Sequence, residues 1–172
     1  MKHLKLYLLI ILSCSLLTCE RDDLCSETTA TTPSLIIDFY NNNATDSQKD
    51  AIGLYVIGED NDDVLSDYNV ETVNQLILPL RTDQNSTVFY LTNNTVLDDD
   101  GNITSGNTDT ITITYEAEDV YVSRACGYKT IFKDVFVTVD GGADANWIIL
   151  AQPENDNLTI EDETTTHYFF YH

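Results

Sequence analysis

The four cysteines are the residues of this 172-residue sequence with the most specific chemistry. A thiol can be acylated, oxidised to a disulfide or used as a nucleophile. Three of the four cysteines lie within the first 25 residues, and Cys126 follows about a hundred residues later. Catalysis by Cys126 would need a base such as His167 or His172 beside it. We do not expect it, since a disulfide would consume the thiol and no residue is evident to orient the base.

The N-terminal segment has the composition of an export signal. Two lysines precede an apolar run over residues 6–17, which is shorter than the ~20 residues that span a bilayer but fits a signal-peptide core. Residues 16–19 resemble a bacterial lipobox, in which the cysteine is acylated and becomes the mature N-terminus. We therefore predict that residues 1–18 are a lipoprotein signal peptide and that Cys19 is lipidated.

Cys14 is a rival acylation site, because the residue before it fits the lipobox pattern better. Cleavage before Cys19 leaves Cys25 and Cys126 as one possible pair, whereas cleavage before Cys14 leaves three thiols, an odd number for an oxidising compartment. Parity therefore favours Cys19. An unlipidated secretory signal and an uncleaved anchor are the alternatives.

Charge limits the partners that this chain can have. Residues 1–18 hold two of the 8 basic residues and none of the 29 acidic ones, so the mature chain keeps six and 29, a net charge of −23. Nucleic acid is excluded as a natural partner, because cations drive that binding. The same charge opposes adsorption to anionic lipid, so a lipid anchor must make the membrane attachment. Protein and glycan partners are not identified by the sequence.

The segment after the predicted cleavage site has the character of a tether. Residues 20–23 are charged and mostly acidic, and they resemble the surface-export signal of Bacteroidota lipoproteins; the alternative is a solvated tether. Residues 26–33 are rich in threonine and lack apolar periodicity. We predict an acylated linker over 19–33 and a single β domain over 34–172. The expected location is the outer membrane, facing the periplasm or the cell surface.

Strand signals fill that domain. Residues 120–126 alternate between two faces, Gly127 interrupts them as a bulge or bend, and 129–139 continues as strand. Residues 93–109 are predicted to be a polar loop. With no credible amphipathic helix, the pattern predicts an all-β antiparallel sandwich, Ig-like or jelly-roll-like, with a partly open barrel as the alternative. The other predicted strands are 35–40, 52–57, 75–80, 87–92, 110–115, 147–150, 158–160 and 168–171.

Several pieces of sequence together resemble a known family, the uncharacterised lipoproteins of Bacteroidota, whose function is unknown. The most distinctive piece is Ser-Arg-Ala-Cys-Gly-Tyr-Lys at 123–129. The resemblance implies that Cys19 is acylated and that Cys25 pairs with Cys126, and it carries no activity, ligand or active site. The other matching pieces are 19–25, 35–40, 78–82, 121–122, 146–148 and 171–172.

Metal binding has one weak candidate set, formed by Asp98, Asp100 and Asn102. These residues resemble the middle of a calcium-binding loop, with oxygen ligands around a glycine. In that frame a valine takes the first ligand position and an asparagine the bidentate acid position. We therefore expect an acidic turn, and the acidic loop at 59–63 has the same weakness.

Arg81 and Arg124 are conspicuous because cations are scarce in this chain. Arg124 is predicted to share a strand face with Cys126, where a half-buried carboxylate would hold its guanidinium. Anion binding by these arginines is the alternative.

Thr110 is a candidate for modification. Asp-Thr-Ile at 109–111 matches the short O-glycosylation acceptor of exported Bacteroidota proteins. A three-residue pattern is a weak signal, so Thr110 is only a candidate.

These observations favour a lipid-anchored cell-envelope protein of unknown biochemical activity, acting as a structural or binding module and not as an enzyme. The chain lacks a phosphate loop, a nucleophile elbow and a metal-spaced Cys/His set, so no cofactor is predicted. The first alternative is a carbohydrate- or calcium-dependent binding domain, for which ten tyrosines and Trp147 could supply a platform. The second is an enzyme whose paired carboxylates meet only on folding.

Overall fold

The computed structural model describes residues 24–61, 63–142 and 145–172. The predicted signal peptide, Cys14 and Cys19 therefore lie outside the described residues. The chain divides into two units by its internal contacts. The larger unit comprises Ala30–Val120 and Lys129–His172, and the smaller one comprises the residues up to Thr29 together with Tyr121–Tyr128.

The described residues form strands and no α-helix, which confirms the all-β prediction. Most of these strands contain β-branched and aromatic residues, as expected for side chains that pack on a pleated sheet. In chain order the ten strands are β1 (Leu35–Asn41), β2 (Ala44–Gln48), β3 (Ala51–Gly58), β4 (Val64–Val73), β5 (Gln75–Leu78), β6 (Ser86–Leu97), β7 (Ile103–Ser123), β8 (Gly127–Asp140), β9 (Leu150–Pro153) and β10 (Tyr168–Tyr171).

Two separate sheets contain these strands. The first has the order β2-β1-β10-β9, with β5 also paired to β1, and the second has the order β4-β3-β6-β7-β8. Strands β1 and β10 run parallel, whereas β1 pairs antiparallel with β2 and β5, β9 with β10, β3 with β4 and β6, and β6 with β7. The sandwich prediction is thereby confirmed, since the strands form two sheets and not one rolled sheet.

The core of the larger unit is built from the inward faces of both sheets. In β7 the residues Ile111, Ile113 and Tyr115 are buried at alternate positions, as the period-two pattern predicted. Phe39 of β1 and Phe170 of β10 meet edge to face, with ring centroids 6.1 Å apart, and both are fully buried. Each such side chain contributes about 1.5–3 kcal/mol through its removal from water.

The predicted loop at 93–109 is wrong, because β6 and β7 continue through it and leave only the turn at 98–102. Backbone bulges let the polar residues remain in the sheet. The register shifts between Asn93 and Val96, and Gly106 has φ 144°. A Cβ on Gly106 would lie 2.5 Å from Thr92 Cγ2, so only glycine fits that approach.

Four further elements differ from the expectation. Strand β2 was not predicted, and the predicted strand at 158–160 is present only as an isolated bridge between Ile160 and Phe132. Strand β4 (Val64–Val73) was missed, because its alternation is interrupted by polar residues and by a bulge at Val70, whose φ is 62°. The predicted strand at 147–150 is displaced, and β9 begins only at Leu150. The last residues of the predicted linker belong to the larger unit, because Thr32 Oγ1 accepts a hydrogen bond from the Thr130 N–H at 3.0 Å.

Candidate functional site

A cavity of about 250 Å³ lies in the larger unit, between the turn that follows β3 and the segment that leads into β6. Buried Leu80 and Phe89 form its apolar floor, while Asp60, Arg81 and Gln84 supply polar groups at its edge. An apolar surface with a few polar groups around it is the usual composition of a ligand site. Its volume is below the roughly 300–1,000 Å³ of sites for drug-sized molecules.

Arg81 is held in place by Asp83, two residues further along the chain. The guanidinium donates from Nε to Oδ1 at 3.1 Å and from Nη2 to Oδ2 at 2.9 Å, a bidentate arrangement. Arg81 thereby lowers the pKa of the Asp83 carboxyl, and the same bond raises the pKa of the guanidinium. Both side chains of this pair are exposed, so the ion pair lies at the protein surface.

The wall behind Arg81 is fixed by a buried hydroxyl pair, Thr87 and Tyr115. Their oxygens lie 2.5 Å apart. Thr87 Oγ1 accepts from the Arg81 N–H at 2.9 Å, and Tyr115 donates to the Arg81 carbonyl at 2.7 Å. Burial raises the pKa of Tyr115, so its hydroxyl stays protonated as a donor. These groups shape the cavity wall, and their bonds are already made within the protein.

The turn at 98–102 uses its acidic residues to close the β6–β7 hairpin. Asp98 Oδ1 accepts from the backbone N–H of Asp100 at 3.0 Å and of Asn102 at 2.8 Å. These bonds from Asn102 and its neighbours lower the pKa of the Asp98 carboxyl. Across residues 24–61, 63–142 and 145–172, no group of three or more His, Cys, Asp or Glu side chains could hold a metal ion.

A buried carboxylate that the sequence analysis did not single out lies at Asp109 in β7. It is fully buried and accepts from the backbone N–H of Trp147 at 3.3 Å and of Ile148 at 2.8 Å. Burial raises the pKa of this carboxyl, against these hydrogen bonds. The signal was present in the sequence, because Asp109 has the same inward parity as Ile111 and Ile113.

Thr110 lies on the opposite face of β7 from Asp109 and is partly exposed. It pairs with Tyr90 of β6 in the middle of the second sheet. Its glycosylation stays a prediction.

The two histidines near the C-terminus have structural partners. His167 Nδ1 accepts from the Ile36 N–H at 3.0 Å, so the proton of the neutral ring is on Nε2, which lies 3.1 Å from the Asp162 carbonyl oxygen. His172 packs edge-on against Phe39 and Trp147, with centroid distances of 5.7 and 5.4 Å. Burial lowers the pKa of both imidazoles.

The smaller unit contains the Cys25–Cys126 disulfide, with the Cα atoms 4.8 Å apart. The predicted strand over 120–126 is wrong at its end: residues 124–126 form the turn between β7 and β8, where the Cys126 N–H donates to Ser123 Oγ at 3.0 Å. Arg124 is therefore exposed in a turn and does not lie on a strand face. No described carboxylate lies within ion-pair distance of its guanidinium.

A family model matches most of this chain. No curated protein and no solved structure matches the chain significantly. A family of unknown function, DUF6452, matches residues 53–172, which are 120 of the 172 residues and include the cavity, the turn at 98–102 and Cys126. Within the described ranges there is no helix with the length and apolar character needed to cross a bilayer. The chain belongs to the DUF6452 family of unknown function.

Proposed function

We propose that this protein is a lipid-anchored cell-envelope protein of Bacteroidota whose β domain acts as a structural or binding module. The Cys25–Cys126 disulfide carries the proposal. Disulfides persist in oxidising compartments and are rare in the cytosol, so the bond supports export. Export is also what the charged start and the apolar run at 6–17 predict.

The same bond supports acylation of Cys19. With Cys25 and Cys126 joined, Cys19 is the cysteine left over after cleavage at residue 18, and an acylated thiol is no longer free to oxidise. The net charge of −23 after cleavage makes spontaneous adsorption to anionic lipid unfavourable, so a covalent anchor is needed. The anchor places the protein at the outer membrane, on its periplasmic or its external face.

The domain itself is proposed to bind or support and not to catalyse. At the cavity, the Arg81 guanidinium is occupied by Asp83, and the Thr87 and Tyr115 hydroxyls are occupied by each other and by the backbone. What faces the open space is an apolar floor with carboxylate and amide groups beside it. Such a surface suits recognition of a small group on a larger partner.

Metabolic labelling with an alkyne fatty acid tests the anchor. The full-length protein and its Cys19→Ala variant are expressed in a Bacteroidota host, with Cys14→Ala as the matched control. We expect label on the wild type and the control, and loss of label with retention of residues 1–18 in Cys19→Ala. Label that persists in Cys19→Ala and disappears in Cys14→Ala would overturn the assignment of Cys19.

A further inference from the structure

We infer that the turn carrying the disulfide rests on the membrane surface, with an exposed tyrosine pair at the lipid headgroups. We call this element the anchor turn and define it as Leu24, the Cys25–Cys126 bond, Tyr121, Arg124 and Tyr128. All of these residues belong to the smaller unit. The inference rests on the proposed acylation of Cys19.

The length of the tether limits how far the anchor turn can be from the bilayer. Six residue steps separate Cys19 from Cys25, and a fully extended chain advances at most ~3.6 Å per residue, so the two lie within about 22 Å of each other. The disulfide carries this limit to Cys126, whose Cα is 4.8 Å from that of Cys25. Without the disulfide, the covalent path from Cys25 to Cys126 would be 101 residues long and would not hold the turn near the lipid.

The side chains on this turn are of the kind that membrane interfaces favour. Tyr121 is 58% exposed and Tyr128 is 69% exposed, and their rings meet edge to face with centroids 5.4 Å apart. Leu24 is 83% exposed. Tyrosine has an apolar ring and a polar hydroxyl, which places it at the level of the headgroups.

Charge distinguishes the anchor turn from the rest of the chain. The described residues of the smaller unit are 24–29 and 121–128, and their charged side chains are one arginine, Arg124, and one glutamate, Glu27. These described residues are therefore neutral within a chain of net charge −21, and anionic lipid does not repel them, whereas residues 20–23 before them carry three acidic side chains and one arginine. The exposed Arg124 guanidinium can donate two parallel hydrogen bonds to a lipid phosphate.

The test measures the depth of single positions in the acylated mature protein bound to vesicles. The vesicles contain phosphatidylethanolamine and phosphatidylglycerol, with or without phosphatidylcholine brominated on its acyl chains. Tyr128→Trp adds one tryptophan to the single native Trp147, which is buried. Tyr121→Trp is a second reporter, and Phe136→Trp, at a site that is 53% exposed in β8 of the larger unit, is the control.

We expect brominated lipid to quench most of the added emission in Tyr128→Trp and Tyr121→Trp and to leave Phe136→Trp unchanged. Flotation of the vesicles reports the anchor independently. Protein that floats without quenching at either tyrosine position overturns the inference and leaves the lipid anchor standing, as does equal quenching at Phe136→Trp. Protein that does not float overturns both. If the anchor turn binds a protein or a glycan and not lipid, the protein should float without quenching at either tyrosine position.

Discussion

Asp109 and Trp147 are joined by a buried hydrogen bond, in which the Trp147 N–H donates to Oδ1 of Asp109 at 3.3 Å. The neighbouring Ile148 N–H donates to Oδ2 at 2.8 Å. The indole of Trp147 donates in turn to the Leu91 carbonyl at 3.0 Å. One carboxylate thus supplies the acceptors that a strand partner would supply, and this explains why residues 147 and 148 are buried without belonging to a strand.

The first prediction concerns this carboxylate. In Asp109→Asn the amide NH₂ must face one of the two backbone N–H groups, which leaves two donors opposed. Because the site is buried, we expect the free energy of unfolding to fall by ~1–3 kcal/mol. Urea unfolding of the mature chain measures it, and Asp99→Asn in the exposed turn at 98–102 is the control. Equal stability of Asp109→Asn and the wild type would contradict the role assigned to this carboxylate.

The second prediction concerns the disulfide, which links residues 101 positions apart. In the chain-entropy model, a bond that closes a loop of this length lowers the entropy of the unfolded chain and so stabilises the folded protein by about 4–5 kcal/mol. Measured stabilisation is often smaller. Cys25→Ser should therefore lower the denaturant midpoint of the oxidised protein to that of the reduced wild type. Cys25→Ser/Cys126→Ser should match the single variant. A reductant that leaves the wild-type midpoint unchanged would show that the bond does not stabilise the protein.

The third prediction is a dependence of stability on pH. Burial lowers the pKa of His167 and His172 in the folded protein below the ordinary value of 6.5. Below pH 6.5 the unfolded chain binds more protons than the folded chain. The contribution of the two neutral histidines to the free energy of unfolding is therefore fully present above pH 6.5, and it is lost as the pH falls towards their pKa values in the folded protein. Thermal unfolding between pH 7.5 and 5 measures the decline.

His167→Asn is the informative variant for that measurement. Its side-chain oxygen can accept the Ile36 N–H as Nδ1 does, but it does not titrate. The loss of stability between pH 7.5 and 5 should shrink in this variant while stability at pH 7.5 is largely kept. An undiminished slope would mean that other groups cause the decline.

The strands could be predicted where a local pattern decides the structure. In β7, Ile111, Ile113 and Tyr115 alternate with threonines, and any sheet that buries one face must bury these three. The loop predicted at 93–109 failed because its polar residues are held by bulges, and these depend on the close approach of Gly106 to Thr92. That approach involves a neighbouring strand and is not encoded by local periodicity.

The candidate site was predictable to a smaller extent. Arg81 stood out by charge, but its partner and the cavity beside it depend on the segment from 79 to 84 meeting the turn after β3. Arg124 and Cys126 were placed on a strand because alternation continues to the last residue before a turn. In the sequence, the turn residues 124–126 continue the alternating pattern of β7, so parity alone does not show where the strand ends.

The fourth prediction concerns calcium, on which the alternative binding role depends. Asp98 Oδ1 already accepts two backbone N–H groups of its own turn, so a cation would have to displace them. We expect millimolar Ca²⁺ to leave the melting temperature of the mature chain unchanged. A site occupied at ten times its Kd would add about 1.4 kcal/mol to the stability, which a thermal scan detects. A rise in melting temperature that Asp98→Asn abolishes, and that Asp99→Asn does not, would establish a calcium site in this turn and favour the calcium-dependent role over the purely structural one.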